Sequence, residues 1–160
     1  MSEVLAKIRR LLTENGVSFQ EKEHPPTLTS EQSAAARGEA LGVGAKALIL
    51  KTDDQFRLFV LPADLKLDSA AVKRELKVKK TRFASAEELL ELTGLVPGSV
   101  PPFGQPIFPL ELYADVQVGA VHNRVAFNAG SLTHSIIMQA ADWQAIAKPQ
   151  LFAFGKSDSP

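Results

Sequence analysis

The sequence predicts an α+β fold, with helices and β-hairpins mixed along one chain. Three observations carry that prediction. Segments with helical apolar spacing alternate with short apolar runs of strand length, but without the regular βαβ rhythm of a doubly wound sheet. Polar turns suited to hairpins join several of the short runs. The chain has 160 residues, 45% apolar and 22% charged, which suffices for one domain with a real core.

The first helix is expected from a Ser2 cap to about Asn15. Val4, Leu5, Ile8, Leu11 and Leu12 share one face, and Gly16 suits the stop. Val17 to Glu23 reads as a short strand, broken by His24-Pro25-Pro26 because proline lacks the ladder donor. Thr29 and Gln32 have capping-box spacing, and open a short helix through the Ala34–Ala36 run. Ala45 to Lys51 (AKALILK) and Phe56 to Leu61 (FRLFVL) are strands, joined as a hairpin by Asp53-Asp54-Gln55. Asp68 or Ser69 caps a helix through Leu76, and Lys77 to Phe83 is basic and extended. Ser85 and Glu88 form a second capping box, for a helix ending at Thr93-Gly94.

Residues 94–104 hold three glycines and three prolines in eleven positions, so they form neither regular helix nor central strand. Ile107 to Val118 and Ala120 to Asn128 are expected as strands, followed by a turn at Ala129-Gly130-Ser131 and a short strand from Ser135 to Met138. Asp142 is expected to cap a last helix to about Lys148. Leu151 to Phe154 is a final short strand, with a polar tail after Gly155. There is no internal repeat, linker or low-complexity segment.

Composition narrows the function. Lys plus Arg and Asp plus Glu are 18 each, so a nucleic-acid partner must be held by a local patch rather than by global charge. There is no cysteine, which removes disulfides, thiolate nucleophiles and Cys-based zinc sites and suits a reducing cytoplasm. The N-terminal segment lacks a signal-peptide apolar run, and no stretch reaches the ~20 apolar residues of a membrane span. GxSxG, P-loop and HExxH motifs are absent, and His24, His122 and His134 do not have metal-ligand spacing.

Two polar loops remain as candidate sites. Gly98, Ser99, Val100, Pro101, Pro102, Phe103 and Gly104 (GSVPPFG) form a loop stiffened by prolines, able to fix backbone N–H groups against a developing oxyanion. Asn128, Ala129, Gly130 and Ser131 form a second turn with small residues for close approach. Both also fit ordinary connecting turns, which are commoner. His134 has the chemistry of a general base or hydrogen-bond donor, although a lone histidine is more often structural. Lys46 and Lys51 flank a strand, either as solvated ends or with one ammonium in a cleft facing a phosphate. Lys73, Arg74, Lys77, Lys79, Lys80 and Arg82 make a basic cluster, either a solvated face or a contact for RNA backbone.

The order of AKALILK (Ala45–Lys51), FRLFVLPAD (Phe56–Asp64), GSVPPFG and FNAGS (Phe127–Ser131) resembles the YbaK/prolyl-tRNA synthetase-associated family across nearly the whole chain. GSVPPFG matches that family's Gly-x-x-x-Pro loop at Gly98 and Pro102. The resemblance implies a mixed, partly barrel-like β-sheet flanked by helices, as one domain over residues 1–160. It implies a cytoplasmic, free-standing enzyme that hydrolyses the ester of a mischarged aminoacyl-tRNA in trans, with a small amino acid carried on proline tRNA. Lys46 is then the key residue, engaging the acceptor end near a phosphate. The two loops and His134 form the aminoacyl pocket. Neither metal nor other cofactor is implied; aminoacyl-tRNA is the partner, with a synthetase as a possible second, and neither membrane nor DNA is involved. Two features depart from the family pattern: Ala47 stands where Thr or Ser is frequent, and Thr133-His134-Ser135 follows the glycine turn where some members are acidic. They leave open a non-catalytic module binding an amino acid, nucleotide or synthetase. A general esterase would need a nucleophile motif that the chain lacks.

Overall fold

A computed structural model describes residues 3–157. Helix α1 (Glu3–Glu14) buries Val4, Leu5, Ile8 and Leu12. Their i, i+1, i+4, i+8 spacing makes one apolar stripe, and each fully buried aliphatic side chain contributes about 1.5–3 kcal/mol. The expected Ser2 cap lies outside the described residues. Strand β1 (Phe19–Glu23) follows. Helix α2 (Ser30–Arg37) has Thr29 as N-cap, accepting from Gln32 N, and ends at Gly38 in the left-handed region. The capping box is modified: the Gln32 side chain accepts from Leu28 N.

A short 3₁₀ turn (Leu41–Val43) leads into β2 (Ala45–Thr52), which forms an antiparallel hairpin with β3 (Gln55–Pro62). Strand β4 (Leu65–Leu67), helix α3 (Ser69–Leu76), strand β5 (Thr81–Phe83) and helix α4 (Ala86–Thr93) come next. Then follow β6 (Leu112–Asp115), β7 (Arg124–Asn128), β8 (His134–Gln139), helix α5 (Ala140–Ala147), β9 (Gln150–Phe152) and β10 (Gly155–Ser157).

The strands form a five-stranded sheet β5-β2-β3-β6-β9, a three-stranded sheet β1-β8-β7 and a two-stranded ribbon β10-β4. The β3–β6 and β6–β9 pairs are parallel. A parallel bridge between Gly44 and Ala126 joins the two larger sheets, giving a partly barrel-like, mixed α+β arrangement. The main core lies between them and includes α1, Trp143 of α5 and Phe103. A second cluster (Leu50, Phe59, Leu61, Val72, Tyr113 and Phe154 among its members) covers the other face of the five-stranded sheet under α3. The middle of β3 is therefore buried on both faces, which explains its uninterrupted apolar run.

Several expected elements are shorter or placed differently. The two long strands shrink to β6 and β7. Pro106 and Pro109 lack ladder donors, and Ile107 and Phe108 N–H both donate to Gly104 O, so this apolar run is buried as a turn. After β6, Gln117 N–H donates to Asp115 Oδ1 and Val118 N–H to Asp115 O, which bends the chain away. Extended structure in the basic segment is confined to β5, because Lys77 takes a left-handed conformation (φ 56°) to close α3. Helix α5 starts before Asp142, from Gln139 with no side-chain cap; Asp142 sits in its first turn, where a negative charge favours the helix dipole. The strand expected at 151–154 is β9 at Gln150–Phe152, with Phe154 turned into the second cluster, and the expected tail forms β10, paired with β4. Among the described residues, no helix is long and apolar enough to cross a membrane.

Candidate active site

Strand β2 sets the site. Its Lys46, Leu48 and Leu50 share the face of the second cluster, while Ala45, Ala47 and Ile49 share the face of the main core. Strand β5 pairs only with Leu50, Lys51 and Thr52. The N-terminal half of β2 therefore has an open edge. Ile49 O, which accepts from Ala84 N, shows which residues point to that edge. Two positions earlier, Ala47 directs its N–H and C=O the same way, where no strand pairs with it.

A cavity of about 190 Å³ opens on this edge. Its wall includes Ala45, Lys46, Ala47 and Leu48 from β2, Gly98 and Val100 from the Pro/Gly-rich loop, and Asn128 at the end of β7. Thr27, Ser33 and Arg37 close the opposite side, with Leu28 on the exposed rim. The Lys46 ammonium, on a half-buried side chain, donates to the carbonyl of Leu65 in β4.

The floor is a polar network. Arg37 is 5% exposed. Its Nε donates to Ser135 Oγ at 2.9 Å and its Nη2 to Asn128 Oδ1 at 3.0 Å. Asn128 Nδ2 donates to Gly98 O at 2.8 Å, and Gly130 N–H donates to Ser99 O. Four hydrogen bonds thus fasten the end of α2, the β7–β8 turn and the Gly98 loop together. Burial lowers the Arg37 pKa to about 10, partly offset by the charge of Glu39; the group remains cationic at neutral pH. Thr27 Oγ1 and Ser33 Oγ lie 2.8 Å apart.

His24 completes the network behind the wall. Its Nε2 is 2.8 Å from Ser135 Oγ, and its Nδ1 is 2.9 Å from Pro25 O. A carbonyl only accepts, so Nδ1 carries the proton. In the neutral ring Nε2 is then an acceptor, and the one hydroxyl proton of Ser135 is shared between it and Asn128 Oδ1, 3.2 Å away.

Of the sequence-derived site residues, Lys46, Gly98, Val100 and Asn128 line the cavity. Gly98 has φ +88°, a conformation that other L-residues rarely adopt. The rest of its loop turns inward. Ser99 is 2% exposed, Pro101 and Pro102 are buried, and Pro102 O accepts from Trp143 Nε1. Phe103 is fully buried against Phe127, and a Cβ on Gly104 would meet Leu110 O at 2.6 Å. Ala129 and Gly130 are buried behind the wall. Ser131 and His134 lie off the cavity: His134 Nδ1 is 2.9 Å from Thr133 Oγ1 and 3.4 Å from Ser131 Oγ, with its Nε2 3.9 Å from exposed Glu23. Thr27, Ser33 and Arg37 escaped the sequence reading. The available signal was helical spacing in α2, where Ser33, Ala34 and Arg37 fall on the buried face. Among the described residues, no cluster of three or more His, Asp or Glu is placed to hold a metal ion.

Comparison with known proteins gives one answer. The profile of the aminoacyl-tRNA editing domain matches residues 24–146. The multifunctional Ser/Thr-tRNA deacylase ProXp-y of Escherichia coli K12 is 36% identical over 152 residues, covering 92% of this chain and 90% of that protein. The proline–tRNA ligase of Bacillus licheniformis is 36% identical over 108 residues, which are 68% of this chain but 19% of the ligase. A crystal structure described as a proposed trans-editing enzyme for prolyl-tRNA synthetase superposes with a TM-score of 0.84 at 24% identity, covering 98% of this chain and 99% of that one. That likeness is one of fold. With a profile match spanning most of its length and relatives of this kind, the chain belongs to the aminoacyl-tRNA editing domain family.

Proposed function

We propose that the protein is a free-standing aminoacyl-tRNA deacylase, which hydrolyses the ester of a mischarged tRNA in trans, and that the cavity beside β2 is its active site. The observation that carries this reading is the convergence of Lys46, Gly98 and Asn128, from three distant segments, on one small cavity. The ammonium of Lys46 supplies a point charge for a phosphate or ribose oxygen of the acceptor end. The open edge at Ala47 and the Gly98 and Val100 positions of the wall offer backbone N–H groups to an oxyanion, while the Ser99 N–H is taken by Val96 O. An ester is activated enough for water to attack with that help alone. The reading places the protein in the cytoplasm, where aminoacyl-tRNA is used, with a synthetase as the source of the mischarged substrate.

The cavity is small beside the ~300–1,000 Å³ usual for drug-sized ligands. It suits a small aminoacyl group. Thr27, Ser33 and the Arg37–Asn128 pair give it a polar side, and one similar protein is named a Ser/Thr-tRNA deacylase. These favour seryl and threonyl esters over the alanyl ester. Proline tRNA, suggested by likeness to the proline–tRNA ligases, is a carrier to be tested beside the serine and threonine tRNAs.

The test is a deacylation panel of seryl, threonyl and alanyl esters on these tRNAs. Seryl or threonyl ester turnover is expected, with kcat/KM lowered roughly 100-fold or more by Lys46→Ala, the scale of losing one stabiliser of transition-state charge. Folded protein that binds tRNA and turns over none of these esters would leave a binding module instead.

A further inference from the structure

We propose that a basic platform at the far end of β2 docks the phosphate backbone of the RNA whose 3′ end enters the cavity. The inference rests on the aminoacyl-tRNA reading above. Between Lys73 and Arg82 the chain has six basic residues against one acidic residue, Glu75, although the whole chain is neutral. The rest of the molecule is therefore acidic, and positive charge is concentrated in this segment. Folding adds Lys51, the cross-strand partner of Arg82. The result is a shallow hollow lined by Lys51, Asp53, Lys73, Lys79, Lys80 and Arg82.

The one carboxylate in that lining acts as a staple. Asp53 Oδ1 accepts from Lys79 N–H at 3.0 Å and Lys80 N–H at 2.9 Å, and Asp53 N–H donates to Lys80 O. These bonds hold both lysines at the hairpin tip. Arg82 is committed to Glu88 through two hydrogen bonds of 2.7 and 2.9 Å. Lys73, Lys79 and Lys80 form no ion pair among the described residues, so their ammonium groups are available to phosphates, and Lys51, also without an ion pair there, lies over the Phe56 ring at 5.8 Å.

Position supplies the link to the site. Five residues of extended strand separate Lys46 at the cavity from Lys51 at the platform, about 17 Å. The edge of β2 is open at Ala47 and closes at Ile49, whose O accepts from Ala84 N, before β5 pairs from Leu50 onward. A single strand leaving the cavity over the Ala47 edge and continuing past β5 brings the duplex behind it onto the lysines.

The test compares wild type with the Lys79→Ala/Lys80→Ala double variant, which keeps the backbone N–H groups that Asp53 needs. Binding of uncharged tRNA is followed over a salt series. The slope of log affinity against log salt is expected to fall by about 2 in the variant, with roughly tenfold weaker binding at ~0.15 M salt. KM for aminoacyl-tRNA should rise by a similar factor, while hydrolysis of the same ester on a short 3′ oligonucleotide is unchanged. An unchanged slope and KM in folded variant would overturn the proposal. Absence of tRNA binding by wild type at low salt would overturn it too. Wild-type hydrolysis of neither ester would defeat the deacylase reading, and the salt slope would still decide the platform.

Discussion

At the scale of single residues, Arg37 is the least expected part of the site. It is a buried cation with no carboxylate bonded to it among the described residues, held by Ser135 and Asn128. Its desolvation opposes the gain from two charge-assisted hydrogen bonds, each about 1.5–3 kcal/mol. Arg37→Met relieves the first and removes the second. Stability is therefore expected to stay within about 1 kcal/mol of wild type by urea denaturation. Activity is expected to fall roughly tenfold or more, because Asn128 and the Gly98 loop lose the group that orients them. Arg37→Lys restores the charge without the two-point fork and should recover little. Large destabilisation with unchanged activity per folded molecule would make Arg37 a purely structural residue. Strand position and turn chemistry are local signals, and they made Lys46, Lys51, Gly98 and Asn128 candidates; the family resemblance then singled out Lys46 and the two loops. Arg37, Thr27 and Ser33 matter only once Arg37 at the end of α2 reaches β7 and β8; helical spacing puts Ser33 and Arg37 on a buried face but does not say what that face meets. His134 had the more suggestive chemistry, yet its ring is engaged by Thr133 outside the cavity, while His24, read from the sequence only as the residue ahead of two prolines, lies in the network.

At the scale of elements, helix ends were legible and strand ends less so. The Ser85–Glu88 box forms in full, with each side chain accepting from the other's N–H. Caps are decided within four residues, so the sequence shows them. Strand ends are decided by partners far away, which is why residues 107–111 read as strand and fold as turn. The α4 cap has a pH signature. Hydrogen bonds from Arg82 and then from Ser85 N–H lower the Glu88 pKa from an ordinary 4.5 to about 2. The unfolded chain binds the proton more readily, so the contribution is complete above pH 4.5 and disappears as pH falls through about 2. Wild type is therefore expected to melt higher than Glu88→Gln at pH 7, with the gap closing between pH 4.5 and 2. Ser85→Ala, which removes the uncharged half of the box, should cost about 1 kcal/mol at both pH values. A gap for Glu88→Gln that does not change with pH would exclude the carboxylate's charge as its cause.

At the scale of the whole molecule, the C-terminal segment is held by a buried carboxylate rather than by strand length. Strands β4, β9 and β10 have three residues each, too short to stand alone. Asp115, fully buried at the end of β6, joins the β10–β4 ribbon to the five-stranded sheet. Its Oδ2 accepts from Phe154 N at 2.8 Å and Gly155 N at 2.7 Å, and its Oδ1 from Gln117 N at 2.8 Å. Gly155 begins β10, β10 pairs with β4, and Leu65 of β4 supplies the carbonyl that Lys46 bonds. A staple remote in sequence thereby supports the lysine of the site. Asp115→Asn keeps the shape but replaces one acceptor by an N–H₂ that faces other N–H groups. The expected cost is about 2–3 kcal/mol, the scale of a lost charge-assisted bond in a buried setting. It should be accompanied by faster amide exchange at Phe154 and Gly155 than in the β2–β3 hairpin. Because β4 then loses its partner strand, deacylation should also fall under conditions where the variant is still folded. A variant that loses stability uniformly, with exchange at residues 154–155 no faster than in the hairpin, would show that the C-terminal ribbon is held by its side-chain packing instead.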